Sequence, residues 1–431
     1  MIAALAALLV FGQVAVVQSP PPPAAGSQLT VYLMTMGPGD QVWEKFGHNA
    51  IWIHDATANT DIAYHWGLFD FADEDFLPNF LRGDMRYSMG AFEVEPTIDA
   101  YRQTNRTVWA QELDMSPAQR QRLADFVAWN LLPENRFYSY DYYRDNCSTR
   151  IRDALDAALG GAIRRQSGSI AQAENAPATY RFHTRRLTQD DVPVYTGTLL
   201  GLGQPVDEPI TRWEEMFLPV RMMSTLREFT VTHDGGQPGK LVRGERVLFQ
   251  ASRAPEPEAV RRKLPGYLLA AAGIVAVFVV LLVRAGGRAV SPVGPLVIGM
   301  VWSTIAGVAG TGLASLWALT NHVYSYRNEN LLHMNPLSLL LAVLLLRVVL
   351  ELRRDGDRSI ALNKLTTATR TAIAIGTISA LGLALKLLPG LGQVNGEIIA
   401  LALPVHAAVA GGLLFLSRRL RAVDDARVAQ E

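Results

Sequence analysis

The stretch RDNCSTRIRDALDAALGG, residues 144–161, contains the only cysteine of this 431-residue chain. Asp145 or Asn146 can cap a helix that begins near Cys147, and the terminal glycine pair can end that helix. Apolar residues recur at four-residue steps after the thiol, at Ile151, Leu155 and Leu159. This spacing lines one face of a helix. The stretch therefore predicts an amphipathic helix whose first turn points a thiol toward the interior of a domain.

The N-terminus predicts export of the chain that follows it. Residues 1–24 begin with an apolar run of about 15 residues, which is short for a spanning helix and typical of a signal peptide. Small residues near Ala24 offer a cleavage site, and an uncleaved N-terminal anchor is the alternative. Both interpretations export the segment after the four prolines at 20–23.

The rest of the chain divides by composition into a polar part, 25–263, and an apolar part, 264–431. Five apolar stretches approach the ~20 residues that cross a bilayer. These are 265–283, 293–319, 336–350, 371–388 and 397–417. Arginine and lysine follow the first, third and fifth stretches, and the two intervening loops contain only Arg327. The positive-inside rule therefore predicts an exported domain at 25–263, then a bundle of about five transmembrane helices with a short cytoplasmic tail.

Two further observations limit the function classes. The formal net charge is zero, so nothing indicates a nucleic-acid partner.

A lone thiol in an exported domain is exposed to oxidation and stray pairing, which disfavours an inert buried cysteine. Unpaired N–H groups at a helix start, the helix dipole and the neighbouring Arg144 and Arg150 all favour the thiolate. The pattern thus indicates a nucleophile at Cys147, with an inert thiol as the alternative.

Several other elements of the exported domain are readable. Strands are predicted over 28–36, 46–55 and 62–71. Ser116 and Pro117 begin a helix that ends before Pro133. The polar segment 164–190 indicates a loop-rich region, and residues 204–256 contain short elements without a clear pattern.

A nucleophilic thiol requires a base within hydrogen-bond reach and a third group that orients the base. If 47–54 and 61–68 form a hairpin, Ala50 pairs with His65. His48 shares a strand face with Ala50, so His65 becomes its diagonal neighbour. A slip of one residue would turn His65 to the other face. This pattern favours His48 as the candidate base.

A zinc site is not predicted for these histidines. His48 and His54 on one extended strand lie ~20 Å apart at ~3.3 Å per residue, too far to share an ion. His54 instead fits a surface position at the end of a strand.

Three blocks resemble the periplasmic domain of the Lnb family, the Bacteroides-type lipoprotein N-acyltransferases. They are FGHNAIWI (46–53), YHWGLFDF (64–71) and YYRDNCSTRIRDAL (142–155). WEEMFLP (213–219) and NENLLHMNPLSLLL (328–341) also resemble that family. The last block suggests a role for four polar residues, Asn328, Glu329, Asn330 and Asn335, without assigning a reaction to them.

The order of a histidine first and a cysteine later is also similar to permuted papain-like enzymes, of the NlpC and lecithin:retinol acyltransferase kind. The resemblance implies an α+β permuted papain-like exported domain followed by an all-α membrane bundle. It implies Cys147 as the acyl-carrying nucleophile, His48 as its base and His65 as the third polar residue. It implies no cofactor and no metal.

The resemblance further implies an acyltransferase of the bacterial inner membrane with its N-terminal domain in the periplasm. A phospholipid would be the acyl donor, a lipoprotein the acceptor, and a Cys147 thioester the intermediate. Two other hypotheses remain. One is a Cys/His hydrolase, a peptidase or amidase, acting on cell-envelope substrates. The other is a non-catalytic membrane scaffold that acts through the bundle and the loop 320–335.

The basic residues near the thiol have two interpretations. Arg144 and Arg150 are candidates to bind a phosphate head group. Arg152 better fits a solvated helix face on which it pairs with Asp153.

Overall fold

The computed structural model describes residues 24–173, 176–232, 237–285, 292–353 and 358–428. The predicted signal peptide or anchor, apart from Ala24, lies outside the described residues.

An antiparallel seven-stranded sheet forms the centre of the N-terminal region, which we call the sheet domain. Its strands are β1 (Leu29–Met36), β2 (His48–Asp55), β3 (Thr60–Leu68), β4 (Arg86–Glu93), β5 (Val108–Leu113), β6 (Phe137–Ser139) and β11 (Val242–Phe249). Their order across the sheet is β11-β5-β1-β2-β3-β4-β6. Two small hairpins lie outside it, formed by β7 (Gln172–Ala173) with β8 (Ala176–Pro177) and by β9 (Thr230–Val231) with β10 (Gly239–Lys240).

Short helices pack around this sheet, and long helices follow it. The short helices are α1 (Phe76–Arg82), α2 (Val94–Gln103), α3 (Pro117–Asn130), α4 (Cys147–Ala158), α5 (Ala162–Gln166), α6 (Tyr180–Thr188), α7 (Val192–Gly201), α8 (Arg212–Glu215) and α9 (Pro219–Leu226). The long helices are α10 (Leu264–Ala285), α11 (Val293–Leu319), α12 (Leu337–Arg353), α13 (Arg358–Ala384) and α14 (Gly396–Val428). The predicted class, an α+β domain followed by a helical region, is confirmed.

Strands β2 and β3 form the predicted hairpin, and Ala50 pairs with His65. Because side chains alternate along a strand, Ile51 and Ile53 face the apolar core beneath α4, whereas Ala50 and Trp52 face the core beneath α2. Helices therefore cover both faces of the sheet, and this double burial determines the register of the strands.

The prediction of a loop-rich segment at 164–190 is confirmed only in part, because the segment includes the end of α5 and the whole of α6. In α6, Arg181 and Arg186 are almost completely buried. Arg181 pairs with Asp207 at 2.6 Å, and Arg186 pairs with Glu256 at 3.0 Å. A sequence rich in arginine indicates surface, whereas here ion pairs with distant carboxylates allow the arginines to enter the interior.

The five long helices, which we call the membrane bundle, overlap the five predicted apolar stretches. Each is long and apolar enough to cross a bilayer within the described residues. The two loops that are poor in basic residues both contact the sheet domain. In the first, Tyr324 packs against Tyr143 with ring centroids 4.8 Å apart, and in the second Gln393 donates to the carbonyl of Leu202 at 3.1 Å. The predicted orientation requires these loops to lie on the same side of the membrane as the sheet domain.

The NENLLH block, residues 328–333, connects the membrane bundle to the sheet domain through hydrogen bonds. The buried side chains of Asn328 and Asn330 donate to the carbonyls of Leu200 and Leu199, at 2.7 and 2.8 Å. These carbonyls lie in the last turn of α7, where carbonyl groups have no N–H donor within the helix. The block therefore caps α7 from the membrane side, which accounts for the positions of Asn328 and Asn330.

We expect Asn330→Ala to lower the midpoint of thermal unfolding in detergent. The substitution leaves the buried carbonyl of Leu199 without this donor, a loss of about 1–3 kcal/mol. Asn363→Ala is the matched control, because Asn363 is exposed and its side chain makes no hydrogen bond in the described part of the chain. Equal midpoints for the two variants would contradict the capping role.

Candidate active site

Cys147 is the first residue of α4, and Asn146 is the residue that caps this helix. The side-chain oxygen of Asn146 accepts from the backbone N–H groups of Ser148 and Thr149, both at 2.9 Å. Its side-chain nitrogen donates to the carbonyl of Phe217 at 3.0 Å. The same asparagine thus caps the helix and connects its first turn, which contains the thiol, to the WEEMFLP block by a hydrogen bond.

Helix α4 packs against β2 and β3 through the predicted apolar face. Ile151, Leu155 and Leu159 are buried in the core beneath the helix. Cys147, at the start of this face, is half-buried. The Ser148 hydroxyl lies 3.0 Å from the side-chain amide of Asn49 on β2, so the helix start is also fixed to the sheet.

The sulfur lies beside the strand that carries the candidate base. The backbone N–H groups of Asn49, the residue after His48, and of Ser148 both lower the pKa of the Cys147 thiol. Gly67 on β3 allows the backbone of this strand to lie close to Cys147, since a Cβ at this position would be only 3.4 Å from Cβ of Cys147. With φ of +85°, Gly67 also has a backbone conformation that other residues rarely adopt.

His48 and His65 form the predicted diagonal pair. Nε2 of His48 lies 3.0 Å from Nδ1 of His65, and the two rings are nearly parallel, with 9° between their planes. His65 is buried, and His48 is half-buried with its ring stacked on Tyr101. The hairpin register therefore directs Nε2 of His48 to His65, and Nδ1 of His48 makes no hydrogen bond within the described residues.

Cys147 and His48 line one cavity of about 780 Å³. Aromatic side chains dominate its wall, among them Phe69, Phe71, Phe76, Phe80, Tyr87 and Tyr140. Thr198 and Leu202, at the end of α7, also line it. A largely apolar cavity with a few polar groups at one end is typical of a site for an apolar ligand.

The expectation that the helix start ionises Cys147 is wrong for this structure. Burial raises the pKa of the Cys147 thiol to about 11, although the N–H groups of Asn49 and Ser148 and the charge of Arg106 act in the opposite direction. Burial also holds the pKa of His48 well below its usual value, and His65 and Arg106 lower it further. At neutral pH the resting pair is therefore a neutral thiol and a neutral imidazole, because removal from water outweighs the local dipoles.

The structure separates Arg144 and Arg150 from this cavity. Arg150 pairs with Asp145 and lies over the ring of Tyr138, 4.2 Å from its centroid. Arg144 lines a second, polar cavity of about 500 Å³. Neither residue lines the cavity of Cys147, so their proposed role beside the thiol has no geometric support.

The interpretation of Arg152 as a solvated residue is wrong. Arg152 does pair with Asp153, as expected, but its side chain is buried. Its guanidinium lies 4.0 Å from the centroid of the Trp213 ring and donates to the Trp213 carbonyl. The WEEMFLP block therefore covers this face of α4.

Two residues of the site were missed by the sequence analysis, Arg106 and Tyr101. Arg106 is buried, donates to the carbonyl of Gly37 at 2.9 Å and pairs with Glu44 at 3.2 Å. It also lies over the ring of Tyr101, 4.7 Å from the centroid. Nothing local marks either residue, because their approach to the thiol depends on packing between distant segments.

Within the described ranges, no three His, Cys, Asp or Glu side chains are grouped as around a metal ion.

We expect alkylation of Cys147 by iodoacetamide to be slow at neutral pH. The thiolate is the reactive form, and burial raises the thiol pKa, so the rate should rise with a midpoint above the ~8.5 of a free cysteine. The measurement is the alkylation rate against pH, followed by intact mass. A midpoint below that of free cysteine would contradict the neutral pair and indicate a thiolate beside an imidazolium.

We expect Arg106→Gln to move this midpoint to higher pH, because the variant removes a positive charge that favours the thiolate. Arg144→Gln is the matched control and should leave the midpoint in place, since Arg144 lines the other cavity. An effect of Arg144 as large as that of Arg106 would contradict the assignment of Arg106 to the site.

A model of the Lnb N-terminal periplasmic domain matches residues 24–186. This range includes Cys147, His48 and His65. No curated protein and no solved structure matches the chain. The matched range contains the sheet strands β1 to β6 and helix α4, with five membrane-length helices after it. The N-terminal part of the chain is therefore similar to the Lnb N-terminal periplasmic domain.

Proposed function

We propose that this protein is a cysteine acyltransferase of the inner membrane. It moves a fatty acyl chain from a phospholipid, through a thioester on Cys147, to the α-amino group of a lipoprotein's N-terminal lipidated cysteine. One observation carries the proposal: the half-buried thiol and His48 line a single aromatic cavity whose wall includes the end of α7, where the membrane bundle is attached.

In the first step Nδ1 of His48 takes the thiol proton while Sγ of Cys147 attacks the ester carbonyl carbon. For this, Nε2 of His48 must carry hydrogen, which it donates to Nδ1 of His65 across the 3.0 Å contact. The ester C–O bond then breaks, and the leaving lysophospholipid oxygen takes the proton from His48. Backbone N–H groups at the start of α4 and at Asn49 support the developing negative charge.

In the second step the neutral α-amino group of the lipoprotein attacks the thioester carbonyl carbon. His48 takes a proton from the amine, the C–S bond breaks, and the proton returns to sulfur. The products are an N-acylated lipoprotein and the resting thiol. Donor and acceptor thus bind in turn, as in other reactions with a covalent intermediate.

The neutral resting pair suits an exported enzyme. Oxidation of a cysteine follows its thiolate character, and burial keeps Cys147 protonated until a carbonyl carbon is in place. Deprotonation and attack then occur in one step with His48 as general base.

The cavity wall supports a lipid substrate over the peptide or glycan of a cell-envelope hydrolase. Its lining is mainly aromatic and aliphatic, which suits an acyl chain and offers few hydrogen-bond partners to a peptide. The bundle holds the site at the membrane, where donor and acceptor are both concentrated.

We expect incubation with phospholipid vesicles to add one acyl mass to Cys147, and lipoprotein to remove it again. Intact-mass spectrometry measures both steps. Cys147→Ser should accept no acyl chain, and His48→Gln should lose most of the acylation rate. His54→Gln is the matched histidine control, because His54 pairs with Asp61 at the far end of the same strand.

The alternatives predict different masses. An acyl mass that disappears in water alone, with no transfer to lipoprotein, would indicate a hydrolase. Absence of any acyl mass on the wild-type protein would contradict the acyltransferase proposal.

A further inference from the structure

Residues 69–82, which we call the apolar arm, connect β3 to the region before β4 and include α1. Large apolar side chains on the arm are exposed: Phe71 by 60%, Leu77 by 61%, Phe80 by 43% and Leu81 by 58%. Opposite the arm, Trp43 is 51% exposed, and its ring lies 5.2 Å from that of Phe71. A contiguous exposed apolar surface of this kind indicates contact with a partner or a membrane.

The same arm forms part of the wall of the cavity. Phe69, Phe71, Phe76, Leu77 and Phe80 all line it. Ring contacts join Phe69 to Phe76 at 5.6 Å and Phe71 to Phe76 at 5.0 Å. The arm therefore presents one side to the cavity that contains Cys147 and another side to the surroundings.

Hydrogen bonds hold the arm at the end of the second long helix. The backbone N–H of Asn321 donates to the carbonyl of Arg82 at 2.7 Å, and Nε2 of His322 donates to the carbonyl of Phe80 at 2.8 Å. Gly83 permits this approach, because a Cβ there would lie 2.9 Å from the Asn321 backbone.

The end of this helix lies at the membrane boundary. Helix α11 ends at Leu319, and the exposed side chains of Trp317 and Leu319 precede the contact with the arm. Exposed tryptophan near the end of an apolar span is typical of the boundary between lipid and water. The contacts of Asn321 and His322 therefore place α1 at this level.

The charge of the arm limits how it meets a bilayer. Four exposed carboxylates precede α1 at Asp70, Asp73, Glu74 and Asp75. They are not attracted to anionic head groups, and Arg82 is the one cation of the arm, so contact with lipid depends mainly on the apolar side chains. A short helix of this kind enters the head-group and upper acyl region and does not span.

We propose that the apolar arm is immersed in the periplasmic leaflet and forms the entrance through which a phospholipid acyl chain reaches the cavity of Cys147. The immersion stands on the exposed side chains and on the contact with the end of α11. The role as entrance rests, in addition, on the acyltransferase function proposed above.

Immersion is tested by a fluorescent probe in the full chain. In a Cys147→Ser background, Leu81→Cys provides a single thiol for an environment-sensitive dye, and Leu132→Cys provides the control. Leu132 is an exposed leucine that follows α3, which packs against α4 and β1. In phospholipid vesicles, the dye at 81 should emit at shorter wavelength and be quenched by lipids with a nitroxide high on the acyl chain.

Either of two results overturns the immersion. Quenching by lipid that is equally weak at 81 and at 132 would show that the arm lies in water. A dye at 81 that is shielded from both nitroxide lipid and aqueous iodide would show that protein covers the arm. Neither readout requires activity, so both are independent of the proposed reaction.

The entrance is tested by the ratio of two acylation rates, with vesicle phospholipid and with a soluble short-chain ester as donors. Leu81→Glu should lower this ratio, because a carboxylate in the arm opposes contact with lipid, whereas Leu132→Glu should not. Leu81 does not line the cavity. An unchanged ratio, or the absence of any acylation by phospholipid, would overturn the entrance.

Discussion

The capping of α4 by Asn146 is the contact on which the site depends. One side chain accepts from two N–H groups of the first turn and donates to the carbonyl of Phe217. This orients the helix so that its apolar face lies on β2 and β3, and so that its first residue, Cys147, meets the end of β2 where His48 begins the strand. A shift of the helix start by one residue would turn the thiol by about 100° away from this contact.

The site also shows how burial competes with local dipoles. N–H groups and Arg106 favour a negative charge on the sulfur, yet burial dominates and keeps the thiol protonated. The same burial keeps His48 neutral, so the candidate nucleophile is held in its unreactive, protonated form. In the proposed reaction this has a benefit, since ionisation of the single cysteine is confined to the moment of attack. The apolar wall that raises the thiol pKa is also the wall that suits an acyl chain.

The attachment of the sheet domain to the membrane bundle connects this chemistry with the bilayer. Asn328 and Asn330 cap α7, whose last turn contributes Thr198 to the wall of the cavity and is followed by Leu202, which also lines it. The apolar arm is bonded to the opposite end of the same loop through Asn321 and His322. One loop of the bundle thus supports two parts of the cavity wall, which explains why a block of polar residues lies at the end of an apolar span.

The sequence by itself determined the elements whose cause is local: the α4 helix with its apolar face, the Ser116 cap of α3, the β2–β3 hairpin and the five apolar spans. Because the turn determines strand register, even the contact of His48 with His65 could be predicted. Only the tertiary structure decided which cation approaches the thiol, since Arg106 comes from the connection between α2 and β5 while Arg144 and Arg150 turn away. It also decided the protonation of Cys147 and the helical state of α6, because both depend on how much water the folded chain excludes.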